Sequence, residues 1–149
     1  MNYQQSPFTI FEKLYSMGVQ EHSKYSLREI LNRQDPDLIS EKYLLAFHKG
    51  LTELLDQKRL PWISRTNHRG LTYMCNERKA FIYLMINKKF ISLMYFTGNQ
   101  LIDGLIKGNW VNKDDNLGCE VFRVTDDHTL RIAVKFGLES YYIAENWLD

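Results

Sequence analysis

The spacing of apolar residues changes once along this chain, near Pro61, and that change limits the fold more than any other feature. Upstream, apolar side chains recur at helical intervals; downstream they alternate or run continuously, as strands do. The order is therefore helices first and sheet second, which excludes a regular alternation of strand and helix and favours an α+β domain.

The helical part has clear punctuation. Ser6-Pro7 supplies a cap and a first-turn proline, and Gly18 stands where a left-handed C-terminal cap belongs. Phe8, Phe11, Leu14 and Tyr15 share one face of the helix between them. Ser26-Leu27-Arg28-Glu29 has capping-box spacing, and its short helix should end before Pro36. A third helix is predicted from near Ser40 to Asp56 on the repeat Leu44, Leu45, Phe47, Leu51, Leu54, Leu55.

Beyond Pro61, Trp62 to Thr66 and Leu71 to Cys75 flank the turn Asn67-His68-Arg69-Gly70 and predict a hairpin. A second hairpin, Ala80 to Ile86 and Phe90 to Phe96, turns at Asn87-Lys88. Both of its strands are apolar at alternate and intervening positions, which predicts central strands covered on both faces, or paired with another subunit on one. Leu101 to Gly118 reads as a short helical turn followed by a polar loop, and Glu120 to Val124 as a last strand. Thr125, Asp126 and Asp127 open a closing helix that carries Leu130, Val134, Leu138, Tyr141 and Trp147.

These elements predict one α+β domain over residues 1–149, with N-terminal helices, a mostly antiparallel sheet of about five strands and a long C-terminal helix. If a boundary exists, the change of period sets off a helical subregion over 1–58. At 149 residues the chain can bury roughly two-thirds of its unfolded surface, and 44% hydrophobic with 25% charged residues excludes a disordered chain. No membrane span and no export signal are expected, and Cys75 and Cys119, without metal or redox spacing, suit reduced thiols in a cytoplasm.

From about Phe81 onward the pattern resembles the YdhG-like family of small bacterial proteins, some of which are described as frataxin-like iron chaperones. The residues that carry it are the aromatic-rich strand pair ending in Phe96-Thr97-Gly98, Leu-Ile-x-Gly-Leu at Leu101 to Leu105, and Lys107-Gly108. Upstream the chain departs from it, with Leu60-Pro61-Trp62-Ile63 in place of a Tyr-Gly-x-Pro-like segment and a longer helical region. The resemblance implies a compact α+β fold with its sheet covered by helices, and either metal handling or a partner protein. It carries over no catalytic residue.

Charge is distributed unevenly. Residues 1–57 hold six Lys or Arg against eight acids, residues 58–99 eight against one, and residues 100–149 five against nine. A basic block between acidic flanks suits an anion-binding face, although solvated hairpin tips are the plainer account.

Three helices and a basic hairpin are also the element order of a winged-helix domain. Arg65, His68 and Arg69 on the wing, beside Arg59, would then contact phosphates, while Lys42, Tyr43 and Lys49 faced a groove. A pI near 7.8 and the acids Glu41, Glu53 and Asp56 on the same helix weigh against it.

His22, His48, His68 and His128 lack the spacing that places two imidazoles on one helix face, and His48 is expected on a half-buried surface. Asp114-Asp115-Asn116, with Asp103 and Glu120, offers hard oxygen ligands for a divalent metal, or a solvated turn. Cys75 lies beside Arg78, where a cation lowers a thiol pKa, but a plain strand cysteine is the simpler reading. No nucleophile elbow or phosphate-cradling glycine loop is present. Trp62, Trp110 and Trp147 are candidates for a dimer or partner surface.

A ligand pocket is expected between the sheet and the Gly108 to Gly118 loop, walled by Trp110 and charged by Asp114 or Asp115. The reading is a small, non-enzymatic, cytoplasmic binding or accessory protein that handles a metal or a protein partner, itself included as a homodimer. Nucleic-acid binding through the hairpin 62–75 is the alternative, and no cofactor is specified.

Overall fold

The computed structural model describes the backbone of residues 7–22, 24–96, 106–111 and 118–146, and the side chains of 10–22, 24–96 and 121–146. Four helices, α1 (Pro7–Ser16), α2 (Leu27–Gln34), α3 (Leu38–Gln57) and α4 (Asp127–Glu145), accompany one sheet. Its strands are β1 (Val19–Gln20), β2 (Ile63–Thr66), β3 (Gly70–Asn76), β4 (Lys79–Ile86), β5 (Ile91–Phe96), β6 (Ile106–Val111) and β7 (Gly118–Val124). The spatial order is β1-β2-β3-β4-β5-β7-β6, and every pairing is antiparallel except the parallel β1–β2 edge.

This is the expected α+β architecture with seven strands in place of about five. The two additional strands are the outermost ones. β1 is two residues long, too short for a period, and β6 runs Ile-Lys-Gly-Asn-Trp-Val through the stretch expected as a helical turn and loop. Its residues acquire strand geometry by pairing with β7, a tertiary effect that local propensity does not register.

The caps follow the sequence closely. At the start of α2 Ser26 accepts from the Glu29 N–H, the first half of the capping box its spacing suggests, and Asp126 with Thr129 forms a full capping box on α4. α3 starts two residues earlier than expected because Asp37 caps it, accepting from the Ser40 N–H at 2.9 Å. Gly18 has φ +92°, and a Cβ there would stand 2.8 Å from the Trp62 ring. Ser6 and Trp147 lie outside the described residues.

Cross-strand register sorts side chains onto two faces. One row runs Ser64, Tyr73, Ile82, Tyr95 and the next Thr66, Leu71, Leu84, Leu93, Phe122. These rows meet the helices: Tyr73 contacts His48 of α3, and the Tyr95 hydroxyl donates to the Ala133 carbonyl of α4 at 2.7 Å. α3 and α4 cross closely at Gly137, where a Cβ would lie 2.8 Å from Leu51 and 3.2 Å from Ile82.

His48 is not on a half-buried surface but wholly enclosed. Its Nε2 lies 2.8 Å from the Met17 carbonyl and its Nδ1 2.8 Å from the Tyr73 hydroxyl. A carbonyl only accepts, so Nε2 carries the proton and Nδ1 accepts from Tyr73. Burial lowers the His48 pKa, against the opposing pull of the Met17 carbonyl. No helix among the described residues is long and apolar enough to cross a membrane.

Candidate binding site on the open face of the sheet

Residues between those of the core rows point to the opposite face. Their central row is Arg65, Thr72, Tyr83, Met94, Val121, one residue from each of β2, β3, β4, β5 and β7. Met85 and Met74 lie beside it, opposite Ser92 and Ala80. None of these is as closed as its core neighbours apart from Ser92, and Tyr83 is 36% exposed. Of the two expectations for these strands, coverage on both faces or coverage on one with another subunit on the other, the described helices provide coverage on one side only.

This second face holds a concavity of about 650 Å³, within the size range of small-molecule sites. Its floor is thioether and ring: Met74, Met85, Met94 and Tyr83. Its rim is polar and basic, with Arg65, Arg69 and Arg78 joined by His22, Tyr25, Asn67 and His68. Among the described residues no carboxylate lines it. Arg65 nevertheless has an acid within reach, since its guanidinium donates to Glu77 at 2.5 Å.

The rim is held by local hydrogen bonds that the sequence partly announces. Asn67 Oδ1 accepts from the Arg69 and Gly70 N–H groups at 2.8 and 2.7 Å, which closes the β2–β3 turn. Gly70 is obligatory there, because a Cβ would fall 2.2 Å from the Leu84 carbonyl oxygen. The Thr66 hydroxyl accepts from the His22 N–H at 2.8 Å and donates to the Tyr25 carbonyl at 2.7 Å, fixing that segment against β2. The Tyr25 ring then sits 5.5 Å from His22 and 6.2 Å from His68. Arg33 of α2 donates to the His68 carbonyl, and Arg69 to Asn87 Oδ1 at 3.3 Å.

Three of the four residues named for phosphate contact, Arg65, His68 and Arg69, gather at this concavity, but not on a projecting wing. Their hairpin is internal to the seven-stranded sheet, flanked by β1 and β4. The fourth, Arg59, follows α3 in a left-handed turn at φ 58° and does not line the concavity. Tyr43 does not face a groove: it is buried, donating to Asp127 at 3.2 Å.

The pocket expected near Trp110, Asp114 and Asp115 falls mostly outside the described residues. Trp110 lies in β6, on the far edge of the sheet from β2 and β3, and Asp114 and Asp115 are not among the described residues. Trp62 is half-buried, its indole donating to Asp56 at 2.8 Å and its ring packed over Gly18. Among the described residues no group of three or more His, Cys, Asp or Glu is placed to hold a metal.

Cys75 is a buried free thiol on the helix side, its Sγ 3.8 Å from the Tyr141 carbonyl. Burial, with Glu145 adding to it, pushes its pKa up to about 12, so Arg78 does not activate it. Tyr25, Met74, Arg78, Met85 and Met94 were not singled out from the sequence as site residues. The alternation of Tyr83 and Met85 with Leu84 and Ile86 along β4, and of Ser92 and Met94 with Ile91 and Leu93 along β5, was the available signal. No family model, curated protein or solved structure matches this chain.

Proposed function

We propose that this chain is a small binding protein, not an enzyme, and that its site is the open face of the sheet, where it takes an anionic partner with an apolar or aromatic body. The observation that carries the reading is the pairing of a Met and Tyr floor with an arginine rim in one concavity that, among the described residues, no carboxylate lines. The floor offers apolar contact that adapts to shape, since thioethers are flexible and polarisable. The rim offers fixed planar donors for a carboxylate, sulfonate or phosphate. A buried, unpaired thiol at Cys75 supports a reducing compartment such as the cytoplasm.

A fluorescent anilinonaphthalene sulfonate dye tests the reading, because it joins one anionic group to an aromatic body. Saturable binding to the native protein is expected, weakened by salt. Met94→Glu and Arg69→Glu should each weaken it by roughly tenfold, about 1.4 kcal/mol, with melting temperatures retained. Dye binding that is absent, or indifferent to both substitutions, overturns the assignment of this face.

A further inference from the structure

We propose that the partner of this face is single-stranded nucleic acid, with phosphates held by Arg65, Arg69 and Arg78 and bases lying against Tyr25 and Tyr83. This rests on the anion-binding reading above and adds the class of ligand to it.

The spacing of the cations comes first. Arg69 immediately precedes β3 and Arg78 follows it by two residues, so the two stand at opposite ends of a seven-residue strand. At about 3.3 Å per residue that strand is roughly 20 Å long. One compact anion cannot reach both ends, whereas a linear polyanion lying along β3 meets Arg69, Arg65 and Arg78 together. All three cations are arginines, whose flat guanidinium matches a phosphate in two places and also stacks on a base.

The rings select among polyanions. Tyr83 stands in the middle of the floor at 36% exposure, and Tyr25 forms a cluster with His22 and His68 at the end that carries Arg69. Stacking on such rings is sequence-tolerant, because every base has a π face. An acidic polypeptide would satisfy the arginines and methionines but makes no comparable use of the ring cluster. A duplex is disfavoured by shape: its bases are stacked away inside it, and the site is a hollow in a sheet, not a helix or ribbon that enters a groove.

The test uses the intact chain and short labelled oligothymidylate and oligouridylate, with binding followed across a salt titration. Three phosphate contacts predict a slope of log affinity against log salt near −2, since each contributes roughly −0.7 on a single strand. Arg78→Gln, at an exposed turn, should flatten the slope by about 0.7, while Tyr83→Ala should weaken binding about tenfold and leave the slope alone.

Both oligonucleotides, an abasic phosphodiester of equal length and polyglutamate are then set to displace the bound dye. Displacement by an oligonucleotide at concentrations where the abasic chain fails supports the inference, and the thymidylate and uridylate arms separate DNA from RNA. Dye that binds as described but yields only to polyglutamate, or to neither polymer, overturns the nucleic-acid inference and leaves the anion-binding reading standing. Failure of dye and oligonucleotides alike overturns both.

Discussion

On β4, Tyr83 and Leu84 are chain neighbours with opposite surroundings. Leu84 is wholly enclosed in the row Thr66, Leu71, Leu84, Leu93, Phe122 on the helix side, and Tyr83 is 36% exposed in the row Arg65, Thr72, Tyr83, Met94, Val121 on the other. Apart from Ser64 and Thr66 on β2, the helix-side rows are branched aliphatic and aromatic residues with few accessible rotamers, while the open side mixes methionines and Tyr83 with Arg65, Thr72, Ser92 and Val121. One sheet therefore separates two tasks. Close packing on one face fixes the fold, and the proposed site on the opposite face calls on adaptable contacts and charge, whose loss the fold is expected to tolerate.

The sharpest way to break that division is to truncate neighbours. Leu84→Ala removes a sealed core side chain and leaves a cavity, so it is expected to cost about 2–5 kcal/mol of unfolding free energy. Met85→Ala, one residue along and half-buried, should cost about 1 kcal/mol or less. Urea denaturation of the two variants measures both. Similar costs would show that the second face is also part of the stabilising core, and that the binding assignment is misplaced.

How far this division was legible depended on which residues carried it. Capping residues at Ser26, Asp126 and Asn67 act within a few positions of themselves, so their roles could be read from the chain. β1 and β6 are set by their partners β2 and β7, and nothing local announces them. The apolar runs of β4 and β5 reveal strands but not coverage, because methionine and tyrosine count as apolar on either face. The site itself joins Tyr25, Arg65, Arg78 and Met94 from separate elements, and only the fold brings those together. His48 is a different case. It follows Leu44 by four and precedes Leu51 by three, so it lies on the apolar stripe of α3, a signal that points inward.

That position makes the stability of the helix side depend on pH. His48 is held neutral, its pKa lowered from 6.5 chiefly by burial. Below pH 6.5 the unfolded chain binds a proton at this residue that the folded chain resists, so stability falls as pH drops from there toward the lowered folded value. Protonation also turns Nδ1 into a donor and forces the Tyr73 hydroxyl to reverse its bond. The urea midpoint should decline between pH 7 and 5, and His48→Gln should lose part of that decline in exchange for lower stability at neutral pH. An unchanged pH profile in the variant would place the acid sensitivity elsewhere.

The smallest expected effect on stability carries the most information about the open face. Arg65 and Glu77 form an ion pair whose side chains are 27% and 70% accessible, a setting in which such pairs contribute about 0–1 kcal/mol. Glu77→Gln should therefore leave the urea midpoint nearly unchanged. It should nonetheless tighten binding of the anionic dye, because Glu77 competes with any ligand for the Arg65 guanidinium, and removing that carboxylate raises the positive potential of the concavity. Arg65→Gln should also spare stability while weakening the dye, and the double variant should show no further gain from the loss of Glu77. If Glu77→Gln instead weakens binding, the ion pair positions Arg65 more than it occupies it, and the carboxylate belongs to the site as an orienting group.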